Sequence, residues 1–375
     1  MKNEPFFSIL LPTRNNAEYI GGAIQTILNQ DFDDYELIVS NNNSDDNTEE
    51  VVKSFKSDKL VYVETKKVYP LDRNWNFALF YAKGKYILMI GDDDGVTKFG
   101  LKKLKEEIIS NNFPDLISQP LVRYHFDENL ICFNKMPYEK VNTVKEGFEK
   151  VLEGEGVVEA NVHTIFKRKI LKSSKLYSMP SPDFVAILKL LHWSKSIYYS
   201  DTYAIIHGYT KKSSGQTFAL KDLDEIKKQS KDFKGMVSNL VPFSIAFYRN
   251  AYYASMRKAL QELGIKRDID WRRYFNLYYS HLFIMKYYGN NIKDDLEQFY
   301  KELKNQPLNI QLKVKIRIIL LHIKYMLKKP TTSVTKKDLC INGEKYGIKN
   351  IVDLSNKLNE KLISTIKNDI KNNNT

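Results

Sequence analysis

Residues 86–95 read Tyr-Ile-Leu-Met-Ile-Gly-Asp-Asp-Asp-Gly, an unbroken apolar run that stops against three successive carboxylates, Asp92, Asp93 and Asp94. A strand that is apolar in both alternating directions needs both faces covered, which confines residues 86–90 to the inside of a sheet flanked by helices. In open sheets of this kind, ligands bind at the carboxyl ends of the strands. Oxygen donors there suit Mg²⁺ or Mn²⁺, with coordination positions left open for a phosphate. An acidic turn in water is the other reading of such a triplet.

The flanking sequence repeats the arrangement. Residues 7–11 form an apolar strand closed by Pro12-Thr13, and an amphipathic helix follows with Ile24, Ile27 and Leu28 on one side. Residues 35–40 form a second strand that runs into Asn41-Asn42-Asn43-Ser44-Asp45-Asp46-Asn47-Thr48, and a third lies at 60–63. Strands alternating with helices predict a parallel sheet built from βαβ units. A break is placed at 213–218, which makes 1–218 an α/β domain and 219–375 a helical region with patterns at 220–263, 271–288 and 292–303. The Asn- and Lys-rich end, 367–375, is expected to fray.

Ser8-Ile9-Leu10-Leu11-Pro12-Thr13-Arg14-Asn15, Ile27-Leu28-Asn29-Gln30, Ser44-x-Asp46-x-Thr48, Ala82-Lys83-Gly84-Lys85-Tyr86 and the acidic stretch follow one another in an order and spacing that resembles the family 2 glycosyltransferases of bacterial surface-polysaccharide synthesis. The resemblance implies a GT-A fold and an inverting transfer. The donor would be a nucleoside diphosphate sugar, UDP-linked, and the acceptor a glycan or lipid-linked glycan, with Mn²⁺ or Mg²⁺ assisting the leaving group.

By that resemblance Pro12, Thr13 and Asn15 meet the nucleotide. Asn41 stands where the family usually has an Asp that accepts the uracil N–H, with Asn42 beside it; an amide both accepts and donates, which leaves the base open. The Asn run also reads as a turn that tolerates left-handed backbone. Arg73, near a helix start whose dipole favours anions, is the candidate for the diphosphate, and a solvated Arg is the alternative. The family's metal carboxylate matches Asp93, with Asp92 set for the ribose or a metal-bound water; read as Asp-x-Asp, the pair is Asp92 and Asp94. Gly91 stands where some members carry a further Asp. His207 is the candidate for a metal or phosphate contact, and His163 for the acceptor pocket, against a structural role for each. Asp183, opening an apolar helix after Pro180-Ser181-Pro182, is the candidate general base and equally suits a helix N-terminus.

Composition sets the outer limits. A chain of 375 residues, 43% hydrophobic, can bury a substantial core. Cys132 and Cys340 are too few for a disulfide framework and lack metal-ligand spacing, so they read as thiols of a reducing compartment. With no basic leader and no long uncharged apolar window, the chain is expected in the cytoplasm. A net charge of +13 favours an anionic partner; it is spread out rather than set on an aromatic platform, so nucleic acid is not expected. Residues 308–329 carry Lys313, Lys315, Arg317, Lys324, Lys328 and Lys329 and no acid. They read as a helix on the anionic inner face of the cell membrane, or as one packed on the protein with its basic side in water. Two rival functions fit less well. A sugar nucleotidyltransferase wants a Gly-rich loop where Thr13-Arg14-Asn15-Asn16 stands, and a non-catalytic nucleotide-sugar-binding scaffold is expected to have lost the metal acids or the base, both of which are kept.

Overall fold

The structure is a computed structural model that describes residues 4–127, 129–133, 140–152, 163–179, 182–210, 255–266, 297, 300–301, 303–327 and 340–372. The break expected at 213–218, the helix at 271–288 and most of those at 220–263 and 292–303 lie outside the described residues. Two units are distinguished, one of residues 1–213 with 337–375, the other of 214–336.

In the first unit, β1 (Phe7–Thr13), β2 (Tyr35–Asn41), β3 (Leu60–Glu64) and β4 (Tyr86–Met89) are parallel neighbours in the order β4-β1-β2-β3. Phe7, Ile9, Leu10 and Leu11 on β1 and Tyr86, Ile87 and Leu88 on β4 have no exposed surface, as strands apolar on both faces require. Each such side chain contributes about 1.5–3 kcal/mol through burial. The connecting helices are α1 (Ala17–Leu28), α2 (Thr48–Ser54) and α3 (Leu71–Tyr81); α4 (Gly100–Ser110) follows the acidic turn. On α1, Ile20, Ala23, Ile24 and Ile27 are buried, the stripe that a period of 3.6 residues turns toward a sheet.

Beyond β4 the direction changes. Antiparallel β9 (Ile165–Lys167) separates β4 from β6 (Leu116–Ser118) and β10 (Ile197–Tyr199), giving a seven-stranded sheet of order β10-β6-β9-β4-β1-β2-β3. A second sheet has the order β12-β8-β7-β11-β5, from β5 (Gly95–Val96), β7 (Leu121–His125), β8 (Leu130–Phe133), β11 (Ile205–Tyr209) and β12 (Cys340–Asn342). Helices α5 (Val144–Leu152) and α6 (Pro182–Trp193) pack on one another. The α/β expectation, with a mostly parallel central sheet, is met.

Three expectations differ from the structure. The helical region was to run from 219 to the C-terminus, yet 340–372 belong to the first unit: β12 pairs with β8, and Ile351, Leu354, Ile363 and Ile366 share a core with Val122, Tyr124 and Ile206. Apolar positions at helical spacing say that a core exists and not which one. The terminal helix spans Glu360–Asn372, so 367–372 are helical where fraying was expected, with Ile366 fully buried as its anchor. Cys132 is disulfide-bonded rather than a thiol; the return of β12 sets Cys340 opposite it in register. In the second unit a helix spans Leu308–Leu327, close to the expected 308–329. Among the described residues no helix is long and apolar enough to cross a membrane.

Candidate functional site

Parallel register brings the strand ends to one edge. Thr13 lies opposite Asn41 and Asn41 opposite Glu64, while the pairing of Leu10 with Met89 carries the turn after β4 to the same level. The buried Thr13 donates its hydroxyl to Asp92 Oδ2 at 2.6 Å, and Pro12 beside it is half-buried. Asn15 sits at φ 54°, accepts from the Asp45 N–H at 2.9 Å and donates its own N–H to Ser44 Oγ at 3.0 Å. Asn41 donates to the Tyr62 hydroxyl and to Glu64 Oε1 and accepts from the Ser44 N–H and hydroxyl. Asn42 donates to the Tyr69 carbonyl and accepts from the Tyr69 N–H and the Thr65 hydroxyl. The three amides therefore shape the loops around the edge, and Asn43, at φ 51°, is the left-handed turn residue of the run. Arg73 is exposed in the first turn of α3.

The acidic turn closes on two histidines. Asp94 is 1% exposed. Its Oδ2 accepts from the Gly91 N–H at 2.6 Å and lies 2.7 Å from His163 Nε2; its Oδ1 accepts from the Gly208 N–H at 2.9 Å and lies 3.0 Å from His207 Nδ1. Burial by itself would raise the Asp94 pKa, but the facing His163 and His207 rings outweigh it and hold the carboxyl well below the usual range. Asp92 behaves oppositely: burial pushes it up to about 6, against hydrogen bonds from Thr13 and Asn16, and the charge of Asp94 adds to the rise. Backbone packs most closely at Gly208, and Gly91 is crowded by carboxylates. A Cβ on Gly208 would stand 1.9 Å from the Asp93 carbonyl oxygen, and one on Gly91 would stand 2.9 Å from both Asp93 Oδ1 and Asp94 Oδ2.

Of the expected metal set Asp93, Asp94 and His207, the structure joins Asp94 and His207, adds His163, and leaves the buried Asp93 outside the group. The ligand atoms of Asp94, His163 and His207 lie within 4.8 Å of one another. The His163 and His207 rings meet edge to face at 4.9 Å.

Asp183 opens α6 after Pro182 and is half-buried. Its charge, after burial, raises the pKa of Tyr177, whose backbone is clamped by Asn76: the Tyr177 N–H donates to Asn76 Oδ1 at 3.1 Å and Asn76 Nδ2 donates to the Tyr177 carbonyl at 2.7 Å. Lys189, 2% exposed on α6, donates to the carbonyls of Lys175 and Leu176 at 2.7 and 3.2 Å. These bonds hold the segment that precedes Asp183.

The second sheet extends the site. In register, His207 lies beside Arg123 and Tyr209 beside His125. The His125 and Tyr209 rings stack at 4.8 Å with 11° between planes, and the Arg123 guanidinium is 5.7 Å from the Tyr209 ring centre. Sequence reasoning missed this surface, and it missed Arg14 and Gln119, whose Nε and Oε1 are buried without a hydrogen-bond partner among the described residues. The alternation Leu121-Val122-Arg123-Tyr124-His125 was its only signal. His163 was named only as an acceptor-pocket candidate, because nothing local ties it to Asp94.

Residues 8–173 match the family model described as Glycosyl transferase family 2. A GalNAc(5)-diNAcBac-PP-undecaprenol beta-1,3-glucosyltransferase of Campylobacter jejuni is 35% identical over 107 residues, 28% of this chain and 34% of that protein. A putative colanic acid biosynthesis glycosyl transferase, WcaA of Escherichia coli, is 28% identical over 148 residues, 37% of this chain and 53% of that one. The chain thus spans about a third to a half of these relatives. The crystal structure of Staphylococcus aureus TarS 1–349 with UDP-GlcNAc superposes with a TM-score of 0.49 at 16% identity, covering 86% of this chain and 91% of that one.

Proposed function

We propose that the protein, whose residues 8–173 match the model of glycosyl transferase family 2, is an inverting glycosyltransferase of cell-surface polysaccharide synthesis with a GT-A fold. It moves a sugar from a UDP-linked donor to a hydroxyl of a glycan or lipid-linked glycan. The observation that carries this reading is the Asp94, His163 and His207 group at the carboxyl edge of the sheet, beside the ends of β1 and β2.

These residues fit a divalent ion. Neighbouring ligand atoms on an ion with bonds of about 2.1 Å stand roughly 3 Å apart, and the Asp94 oxygens stand 2.7 and 3.0 Å from the two ring nitrogens. Two imidazoles with one carboxylate favour Mn²⁺ over Mg²⁺, which prefers oxygen ligands and keeps its waters. Bound there, the ion would neutralise charge on the diphosphate leaving group.

The chain's own residues do the rest. Pro12, Thr13 and the loops organised by Asn15, Asn41 and Asn42 receive the nucleoside, Asp92 the ribose side, and Arg73 the diphosphate from the first turn of α3. Asp183 takes the proton of the acceptor hydroxyl as that oxygen bonds to the anomeric carbon. The bond from that carbon to the diphosphate oxygen breaks, its electron pair leaving with the nucleoside diphosphate, so one displacement inverts the configuration. Arg123, His125 and Tyr209 offer the acceptor a stacking surface and a positive charge. A lipid-linked acceptor is supported by the Campylobacter relative, whose name places its substrate on undecaprenyl diphosphate.

Titration calorimetry of UDP and GDP with and without Mn²⁺ tests the reading. UDP binds the parent chain only with Mn²⁺, and Asp94→Asn and His163→Asn each remove that dependence. UDP affinity indifferent to Mn²⁺ and to both changes overturns it.

A further inference from the structure

The helix Leu308–Leu327 has two apolar sides and uses one. At about 100° per residue, Leu308, Leu312, Ile316, Ile319 and Leu320 fall within a sector of roughly 120°, and each is between 51% and 69% exposed. Val314 and Ile318 project from the opposite side and are buried. The inward side therefore already has its core, and among the described residues packing leaves the outward stripe uncovered. A contiguous exposed stripe of five large aliphatic side chains marks an interaction surface.

Charge says what covers it. Lys313 and Lys315 are both exposed, and the same rotation places them at the two borders of the stripe, about 20° outside it on either side. The helix contains no Asp or Glu. Lysines in that position lay their stems along an apolar surface and raise their ammonium groups into a layer of anions. A second copy would bring the same lysines against their counterparts with no acid on the helix to answer them, which disfavours self-pairing. Among the described residues no helix, this one included, is long and apolar enough to cross a bilayer.

We propose that this face lies on an anionic bilayer surface, with the five aliphatic side chains in the headgroup boundary and Lys313 and Lys315 among the lipid phosphates. The inference stands apart from the glycosyl-transfer reading, since it concerns a surface that takes no part in binding the donor. It would bring the chain to any lipid-linked acceptor by diffusion in the membrane plane.

Co-sedimentation of the full chain with phosphatidylcholine vesicles, with and without phosphatidylglycerol, tests it at low and at high salt. The parent sediments with the anionic vesicles at low salt and is released as salt screens the attraction. Lys313→Glu with Lys315→Glu lowers the partition by at least about fivefold per reversal, and Ile316→Asp with Ile319→Asp lowers it by roughly tenfold or more. All four positions are exposed or at the surface of the helix, and an unchanged thermal melt of each variant keeps the comparison fair. Parent protein that ignores anionic vesicles, or variants that sediment as the parent does, overturns the proposal. So does a dimer in sedimentation velocity that Ile316→Asp abolishes, which would give the face to a second copy.

Discussion

Gly208→Ala tests how tightly the site is assembled. The added methyl would sit 1.9 Å from the Asp93 carbonyl oxygen, and the Gly208 N–H it displaces is the 2.9 Å donor to Asp94 Oδ1. Van der Waals contact requires a retreat of roughly 1 Å or more, and the neighbour is backbone, which cannot rotate aside. Overpacking of this kind costs about 1–3 kcal/mol, and a lost hydrogen bond to a buried carboxylate costs about 1.5–3 kcal/mol more. At about 2–4 °C per kcal/mol for a unit of this size, the midpoint should fall by roughly 5–24 °C. Thermal unfolding followed by circular dichroism measures the shift, and calorimetry with Mn²⁺ and UDP measures the damage to the site. Gly21→Ala is the control: its Cβ would meet only Val51 Cγ1, at an ordinary 3.4 Å, and a helical Gly→Ala change stabilises by about 1 kcal/mol. If Gly208→Ala melts with the parent and keeps its metal-dependent binding, the convergence of β11 on the acidic turn described above is wrong.

Asp183→Asn should leave UDP binding intact and slow transfer by roughly a hundredfold or more; near-normal turnover moves the base elsewhere. Lys189→Met leaves the carbonyls of Lys175 and Leu176 without their donor, so denaturant unfolding should show a loss of about 2 kcal/mol or more, with transfer falling further than donor affinity. The third case concerns Asp92, whose carboxyl rises to about 6 in the fold. A folded pKa above the unfolded value makes ionisation penalise folding, by about 2–3 kcal/mol above pH 6, fading as pH falls toward 4. Asp92→Asn should therefore be more stable than the parent at pH 8 in EDTA, and a melting-point gap that stays constant down to pH 4 contradicts the assignment.

The placement of much of the candidate site was legible because its signals are local. Apolar runs at 7–11 and 86–90 announced strands covered on both faces, and acids or amides directly after them announced the ligand edge, since the polypeptide itself carries a strand end into the turn that follows. Asp183 after Pro182 was legible for the same reason, as the start of a helix written in consecutive residues. The likeness of these pieces to one family rested on their order and spacing.

What the sequence determined by itself is the set of elements and the chemistry available at their ends. Only the tertiary structure decided which side chains meet. His163, in the turn just before β9, and His207, on β11, reach the two different oxygens of Asp94. Asn41 and Asn42, read as candidates for the base, have their amides taken up by Tyr62, Glu64, Thr65 and Tyr69. Residues 340–372 return to seal the second sheet and set Cys340 opposite Cys132. Periodicity reports which face of an element is apolar; it carries no record of the partner that face will meet, because a contact between distant segments is selected by packing the whole core at once.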